Sequence, residues 1–379
     1  MTIYFLIPVI LFIMTLQNSQ NKWIERVTFL FVGIFLCTSY FNGSDWRQYE
    51  PMYYSANWNF IRDFYAEKGF YIYMLVFKTL GFQFFQFFII TKFIVYYIFY
   101  IKICEYNCNK YFVLNAFYAF IGLYLFIDCP FRNLIGISII YMALSKLEKN
   151  KNIQFIILVL IAGTFHQSLL LLILLVFLKR YIKVINSMSS EKIIFVLLAI
   201  WIGLMFQEVL FWILFKMPLF AKRLSFYLGT EYSVVKLFSF GNIEKISFIL
   251  AIITLKEKIF VEKKDWFLFG YILLYFIFYR VALTFPILSR YVFCFQIFYF
   301  IGISKLFEIL EKKLKVLMLI FFIIYEFFMT YRTIWYTYKY LPYVSYIKYL
   351  GEEKPSFEHR SEYNVLNYFI RFGNDMILK

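Results

Sequence analysis

Long apolar runs follow one another along almost the whole chain, and they constrain its fold more than any other feature. Hydrophobic residues make up 63% of the 379 residues, and the mean hydropathy of +0.70 is too high for a soluble core. About 20 apolar residues cross the hydrocarbon region of a bilayer as a helix, and tilted or shielded spans are shorter. The runs therefore predict an all-α, polytopic integral membrane protein.

We predict about twelve transmembrane helices, within a range of about 10 to 13. The range has two sources: the first span is short, and the stretch 69–82 fits an interfacial helix. The predicted helices cover residues 2–16, 23–41, 83–101, 111–128, 133–147, 153–165, 168–182, 193–215, 244–258, 266–284, 290–304 and 316–335. With twelve helices, both termini lie on the outer side of the membrane.

Positive charge in the short loops predicts the orientation. Six loops are placed on the inner side, where they carry 19 Lys and Arg residues, and only Arg26 and Arg180 among these are arginine. These loops are 17–26, 102–110, 146–152, 179–192, 256–264 and 305–315. The lysine-rich side is therefore the cytoplasmic side.

This orientation requires a break in the middle of the apolar stretch 153–178. Read as one helix, the stretch would place the lysine-rich loop 179–192 outside and would invert every later span. The break is predicted at residues 163–168, which include Gly163 and His166. His166 is therefore expected at or near an outer-facing turn, where protein or water shields the interrupted backbone from lipid.

The remaining composition limits the domain organisation and the partners. The net charge of +16 follows from the inner lysines, which face anionic lipid headgroups, and needs no nucleic acid partner. We expect a transmembrane domain over 1–335, with large outer loops at 42–68 and 216–243, and a polar extracytoplasmic tail over 336–379. The spacing of histidine and cysteine predicts neither a metal site nor a cofactor.

Arginine is concentrated on the outer side, against the positive-inside bias. Arg132, Arg280 and Arg290 lie near the outer ends of predicted helices, and Arg223 lies in the second large outer loop. A guanidinium binds phosphate oxygens through two parallel hydrogen bonds and never loses its charge. Because ionisable groups near the membrane are costly, these arginines indicate a site for an anionic substrate. Structural ion pairs with nearby carboxylates are the alternative.

Three outer-side residues are candidates for acid–base catalysis. Asp45 follows a glycine in a turn just outside a span, Glu67 closes the same loop, and His166 is at the predicted break. A desolvated carboxylate or an imidazole there could accept a proton from a sugar hydroxyl. The alternatives are capping of a helix or a turn for Asp45, a position in the first turn of a helix for Glu67 and a structural hydrogen bond for His166.

Four short motifs on the outer side carry a family resemblance. They are, in order, Gly43-Ser44-Asp45 with Tyr49, Glu67-x-Gly69-Phe70, Arg132-Asn-Leu-Ile-Gly, and Phe165-His166-Gln167-Ser168. In this order the motifs resemble those of EpsG-like proteins, which are membrane proteins of polysaccharide gene clusters grouped with Wzy-type O-antigen and capsule polymerases. The resemblance covers roughly residues 40–300.

The resemblance implies a glycosyltransferase with a GT-C-like fold in the bacterial inner membrane, with its active site facing the periplasm. Its substrates would be oligosaccharide repeat units linked to undecaprenyl pyrophosphate, and a Wzz-type chain-length co-polymerase is an implied partner. By position, the site roles fall on Asp45, Glu67, Arg132 and His166.

The aromatic residues Trp46, Tyr49 and Trp58 of the first outer loop are candidates for packing against the sugars.

Two other functions remain open from the sequence. One is a flippase for the same lipid-linked units, and the other is an O-antigen ligase.

Overall fold

Helices make up nearly all the regular structure that the computed structural model describes, which covers residues 1–19, 21–61, 67–204, 239–285 and 288–372. In chain order the α-helices are α1 (Thr2–Gln17), α2 (Lys22–Cys37), α3 (Trp46–Ser55), α4 (Lys68–Thr79), α5 (Phe84–Cys104), α6 (Lys110–Phe117), α7 (Phe131–Glu148), α8 (Asn152–Phe165), α9 (Leu178–Ser187), α10 (Ser190–Gly203), α11 (Phe240–Thr254), α12 (Lys256–Ile259), α13 (Lys263–Thr284), α14 (Ser289–Glu308), α15 (Lys312–Trp335) and α16 (Phe357–Phe372). A π-helix, Tyr118–Asp128, continues α6, and 3-10 helices cover Trp58–Ile61, Gln167–Phe177 and Tyr346–Tyr349.

The helices agree with an all-helical, polytopic membrane protein. Each of the twelve predicted segments overlaps a helix in the described part of the chain. Among the described residues, five helices are long and apolar enough to cross a membrane: α5, α6 with its π-helical extension, α13, α14 and α15. Helices α1 and α8 and the 3-10 helix Gln167–Phe177 are apolar but shorter. The count of twelve spans and the GT-C-like fold stay predictions.

The predicted break at His166 is confirmed. Helix α8 ends at Phe165, and the backbone of His166 is extended, with φ −151° and ψ 105°. The 3-10 helix Gln167–Phe177 follows directly. The long apolar stretch is therefore interrupted within the predicted range 163–168.

The chain forms two compact units. The first comprises Met1–Ile173 and Glu311–Lys379, and the second comprises Leu174–Leu310. In the first unit, α6 packs against α1 and α5, and its π-helical extension packs against α2 and α15. In the second unit, α13 packs against α14 and α9.

Loops predicted to share one side of the membrane contact one another in the first unit. At one end, Glu25 pairs with Lys110 at 3.0 Å, and Lys102 pairs with Glu148 at 2.9 Å. These four residues come from the three predicted inner loops of this unit. At the other end, which we call the outer end, the predicted outer loops meet. The contacts agree with the predicted division of the loops into two sets.

The C-terminal segment is packed into the first unit at its outer end. Arg360 of α16 makes a two-pronged ion pair with Glu50 of α3, with both nitrogen–oxygen distances at 2.8 Å. Both side chains are buried. The N-terminal helix reaches the same segment, since the Tyr4 hydroxyl donates to the Tyr340 carbonyl at 2.6 Å. The residues predicted as a polar tail therefore close the outer end of this unit.

We expect Arg360→Met to destabilise the protein strongly, because it leaves the buried carboxylate of Glu50 without its partner. Breaking a buried pair on one side costs about 3–5 kcal/mol. Thermal unfolding of the detergent-purified protein measures the effect. The control is Lys348→Met, which removes the same charge from an exposed position of the same segment. An equal drop in melting temperature in the two variants would contradict a stabilising role for this ion pair.

Candidate active site

A tight loop before α3 fixes the position of Asp45. Gly43 has φ +88°, and a Cβ atom there would lie 2.1 Å from the carbonyl oxygen of Ile127, so only glycine fits. The next residue, Ser44, donates from its backbone nitrogen and its hydroxyl to one carboxylate oxygen of Asp128, at 3.1 and 2.6 Å. The first motif is therefore pinned to the end of the π-helix.

Lys339 closes this loop from the C-terminal segment. Its ammonium group lies 2.7 Å from the second carboxylate oxygen of Asp128, and its carbonyl oxygen accepts from the backbone nitrogen of Gly43 at 2.8 Å. Asp128 is buried, whereas Lys339 is partly exposed. Three segments that are far apart in the sequence therefore hold the backbone that carries Asp45.

Asp45 is half-buried and its carboxylate is not used to cap a helix. It occupies the N-cap position of α3 but makes no capping hydrogen bond to it, so the helix-capping alternative is wrong. Burial and the neighbouring charge of Asp128 raise its pKa to about 6, against the opposing charges of Lys339 and Arg132. The group therefore changes its charge close to neutral pH.

A second tight backbone position presents Glu67. It precedes α4 with φ 49°, a left-handed conformation that few non-glycine residues adopt. It makes no capping hydrogen bond. Two residues later, a Cβ atom on Gly69 would lie 2.0 Å from the hydroxyl of Thr164, so this glycine allows α4 to approach α8 closely. The close approach brings Glu67 to the end of α8, where His166 lies.

The carboxylate of Glu67 is shared between a histidine and an arginine. One oxygen lies 2.7 Å from His166 Nδ1, and the other lies 2.5 Å from Arg132 Nη1. Burial would raise the pKa of Glu67, but the hydrogen bond to His166 and the charge of Arg132 outweigh it and lower the pKa below its usual value. Glu67 is therefore ionised, and it is a poor proton acceptor.

His166 is oriented by this contact. Because Glu67 is ionised, it accepts a hydrogen bond from Nδ1–H of His166. Nε2 is buried and has no hydrogen-bond partner among the described residues. An imidazole held by a carboxylate at one nitrogen, with the other nitrogen unpaired, is the arrangement found in general bases.

Arg132 completes the cluster at the start of α7. Its Nε donates to the hydroxyl of Tyr49 at 3.0 Å, and Nη1 pairs with Glu67. Nη2 has no partner in the described part of the chain, and the side chain is 35% exposed. Tyr49 itself is buried. Two nitrogens of the guanidinium are thus held by protein groups. The third, Nη2, is left to donate to an anion.

Trp46 does not face a sugar-binding surface. It is fully buried, and the guanidinium of Arg360 lies 5.0 Å from the centre of its ring system. Phe85 and Phe357 pack against it as well. The expectation that Trp46 binds substrate overlooked this burial, because the residues that cover Trp46 lie far away in the sequence.

The other predicted arginines belong to the second unit or lie outside the described residues. Arg280 is buried, donates to the hydroxyl of Thr284 at 2.9 Å and lies over the ring of Trp201. Arg290 is half-buried in the first turn of α14. Arg223 lies outside the described residues.

The structure adds Asp128 and Lys339 to the predicted set. Asp128 is in the turn before Arg132, and this closeness in sequence could have suggested it as a site residue. No sequence pattern indicates that Lys339, 211 positions later, contacts it. No group of three or more His, Cys, Asp or Glu side chains in the described part of the chain could hold a metal ion.

The family model for EpsG matches residues 22–346, which is most of the chain and includes every residue of the cluster around Glu67. No curated protein and no solved structure matches the chain. The motifs that suggested the resemblance are the residues that the structure brings together. The chain therefore belongs to the EpsG family, a family of membrane proteins similar to Wzy-type polymerases.

Proposed function

We propose that this protein is a polysaccharide polymerase that joins undecaprenyl-pyrophosphate-linked oligosaccharide repeat units into O-antigen or capsular polysaccharide. The observation that carries the proposal is the cluster of Arg132, Glu67 and His166 at the outer end of the first unit. It combines an anion-binding donor with an oriented base, and both are needed for transfer from a pyrophosphate. The family assignment supports a glycosyltransferase-like polymerase.

In this proposal Arg132 binds the donor pyrophosphate. Its free Nη2 and its partial exposure make it accessible, and Tyr49 and Glu67 fix its orientation. A preorganised positive group at the leaving oxygen stabilises the charge that develops in the transition state. The charges of Lys339 and Arg132 both lower the pKa of Asp45, which means that both cations lie near it. We therefore include Lys339 as a second cation that binds the phosphates. Arg223 and Arg290 remain proposed contributors.

His166 is the proposed base. The acceptor sugar hydroxyl gives its proton to Nε2 while its oxygen attacks the anomeric carbon of the donor glycan. The bond from that carbon to the pyrophosphate oxygen breaks, and undecaprenyl pyrophosphate leaves with both bonding electrons. Glu67 stabilises the imidazolium that forms, and Asp45 accepts a hydrogen bond from the acceptor sugar. The site faces the periplasm of a bacterial inner membrane in this proposal.

Deleting the gene and restoring it on a plasmid tests the reaction, with glycan length read on a gel. A polymerase loss leaves single repeat units on the acceptor, and the wild-type gene restores the ladder. A complete loss of attached glycan would instead indicate the ligase or the flippase, and an unchanged ladder would exclude all three functions.

Arg132→Ala should lose the ladder while the protein stays in the membrane, and Arg132→Lys should not restore it, since a lysine lacks the planar fork. We expect the extension rate to fall on the order of 100-fold or more. The control is Arg332→Ala, because Arg332 is an exposed arginine in the last turn of α15. A normal ladder in Arg132→Ala would contradict the role of this guanidinium.

His166→Ala should slow chain extension by about 10²- to 10⁴-fold, the usual contribution of a general base. Imidazole added to the assay should restore part of the rate in this variant and none in Arg132→Ala, because only the first lacks a proton acceptor. An unchanged rate in His166→Ala would remove this histidine from the mechanism.

Asp45→Asn should raise the melting temperature at about pH 8 and should leave it unchanged at about pH 2.5, below both pKa values. The pKa of Asp45 rises from 3.8 to about 6 on folding, so ionisation favours the unfolded state. The penalty is absent below the lower pKa, grows as the pH rises between the two values and is complete above the higher one. Asparagine removes it. Equal melting curves for both proteins at both pH values would contradict the raised pKa.

A further inference from the structure

A buried carboxylate lies within the membrane-spanning helix α15, far in sequence from the cluster around Glu67. Glu326 is 1% exposed, and its only hydrogen bond with a described residue is the one that Asn115 of α6 donates to Oε2 at 2.7 Å. It makes no ion pair with any described residue. An ionisable group at such a position is costly and indicates a function by default.

Three oxygen atoms on these two helices have no hydrogen-bond partner among the described residues. They are Oε1 of Glu326, Oδ1 of Asn115 and Oγ1 of Thr330. All three side chains are at least nine-tenths buried. Thr330 lies one helical turn after Glu326, so the two share a face of α15. Since buried oxygens are nearly always paired, three unpaired ones on two helices that contact each other need an explanation.

Aromatic contacts enclose this polar group within the first unit. The rings of Phe112 and Phe322 are 5.0 Å apart, one turn before the Asn115–Glu326 contact. The rings of Phe120 and Tyr325 are 5.2 Å apart on the other side. The π-helix begins at Tyr118, three residues after Asn115. Insertions of this kind occur frequently at functional sites.

The charge and the donor types define the ligand. A buried carboxyl group is neutralised either by a proton or by a positive charge beside it, and a bound cation also supplies the partner that the three unpaired oxygens lack. A monovalent cation neutralises it, whereas a divalent ion would leave a net charge among apolar helices. Carboxylate, amide and hydroxyl oxygens are the ligands of hard cations. We propose that Glu326, Asn115 and Thr330 form a binding site for Na⁺.

Such a site would connect the membrane interior to the outer end. The π-helical extension of α6 ends at Asp128, and α15 leads within a few residues to Lys339. Asp128 and Lys339 form the ion pair that holds the loop before Asp45. Na⁺ would fasten the same two helices deeper in the membrane, so its binding stabilises the folded protein.

Thermal unfolding of the full-length protein in detergent tests this site. Melting temperatures are compared in NaCl and in choline chloride at equal ionic strength and pH. A ligand that binds only the folded state raises the melting temperature with its concentration. We expect a rise with Na⁺ and none with choline. Glu326→Gln should abolish the Na⁺ response, and Thr330→Val should shift it to higher concentrations.

Thr15→Val is the matched control. Thr15 is a buried threonine of α1 in the same unit, and its hydroxyl donates to the Leu11 carbonyl at 2.8 Å. This variant should keep the full Na⁺ response. If wild-type melting is the same in both salts, Glu326 is a neutral acid or contacts a water molecule, and the proposal is wrong. A full response in both Glu326→Gln and Thr330→Val would also overturn it.

Discussion

The carboxylate of Glu67 joins parts of the chain that meet only in the folded protein. It pairs with Arg132 at the start of α7 and with His166 at the end of α8. One carboxylate thereby compensates the charge of a guanidinium near the membrane and orients an imidazole. The unusual backbone of Glu67 and the close approach at Gly69 both serve this contact. Strained backbone at such a point is typical of functional sites.

A second set of contacts supports the first from the C-terminal segment. Lys339 and Asp128 fix the loop before Asp45, and Arg360 and Glu50 fix the helix that follows it. Glu50 lies in the first outer loop and Asp128 in the next outer turn. Each of them pairs with a residue of the C-terminal segment. The C-terminal segment is thus a structural part of the outer end, and this explains why Arg360 is buried there.

Hydropathy located the helices because a bilayer imposes a length and a composition on every span. The charge pattern located the break at His166 for a similar reason, since topology depends on the loops and not on tertiary contacts. The motifs around Asp45, Glu67 and Arg132 were visible as short patterns. Their convergence was not, because it depends on helix packing at Gly69 and on the turn before α7.

Long-range contacts account for what the sequence did not reveal. Lys339 contacts Asp128 although the two are 211 positions apart in the sequence. No local sequence pattern indicates that they form a pair. Trp46 was expected to bind sugars because it follows Asp45 in an outer loop. Its burial under Arg360 follows from the packing of α16 on α3. Charged residues in the C-terminal segment looked like a solvated tail until their partners were known.

Reconstitution tests the central claim most directly. Purified wild-type protein and Arg132→Ala are placed in liposomes with an undecaprenyl-pyrophosphate-linked repeat unit, and glycan length and released undecaprenyl pyrophosphate are measured together. The account predicts that the wild type produces longer lipid-linked glycans and one released lipid pyrophosphate per added bond, and that the variant produces neither. Extension by both proteins, or by neither, would contradict it.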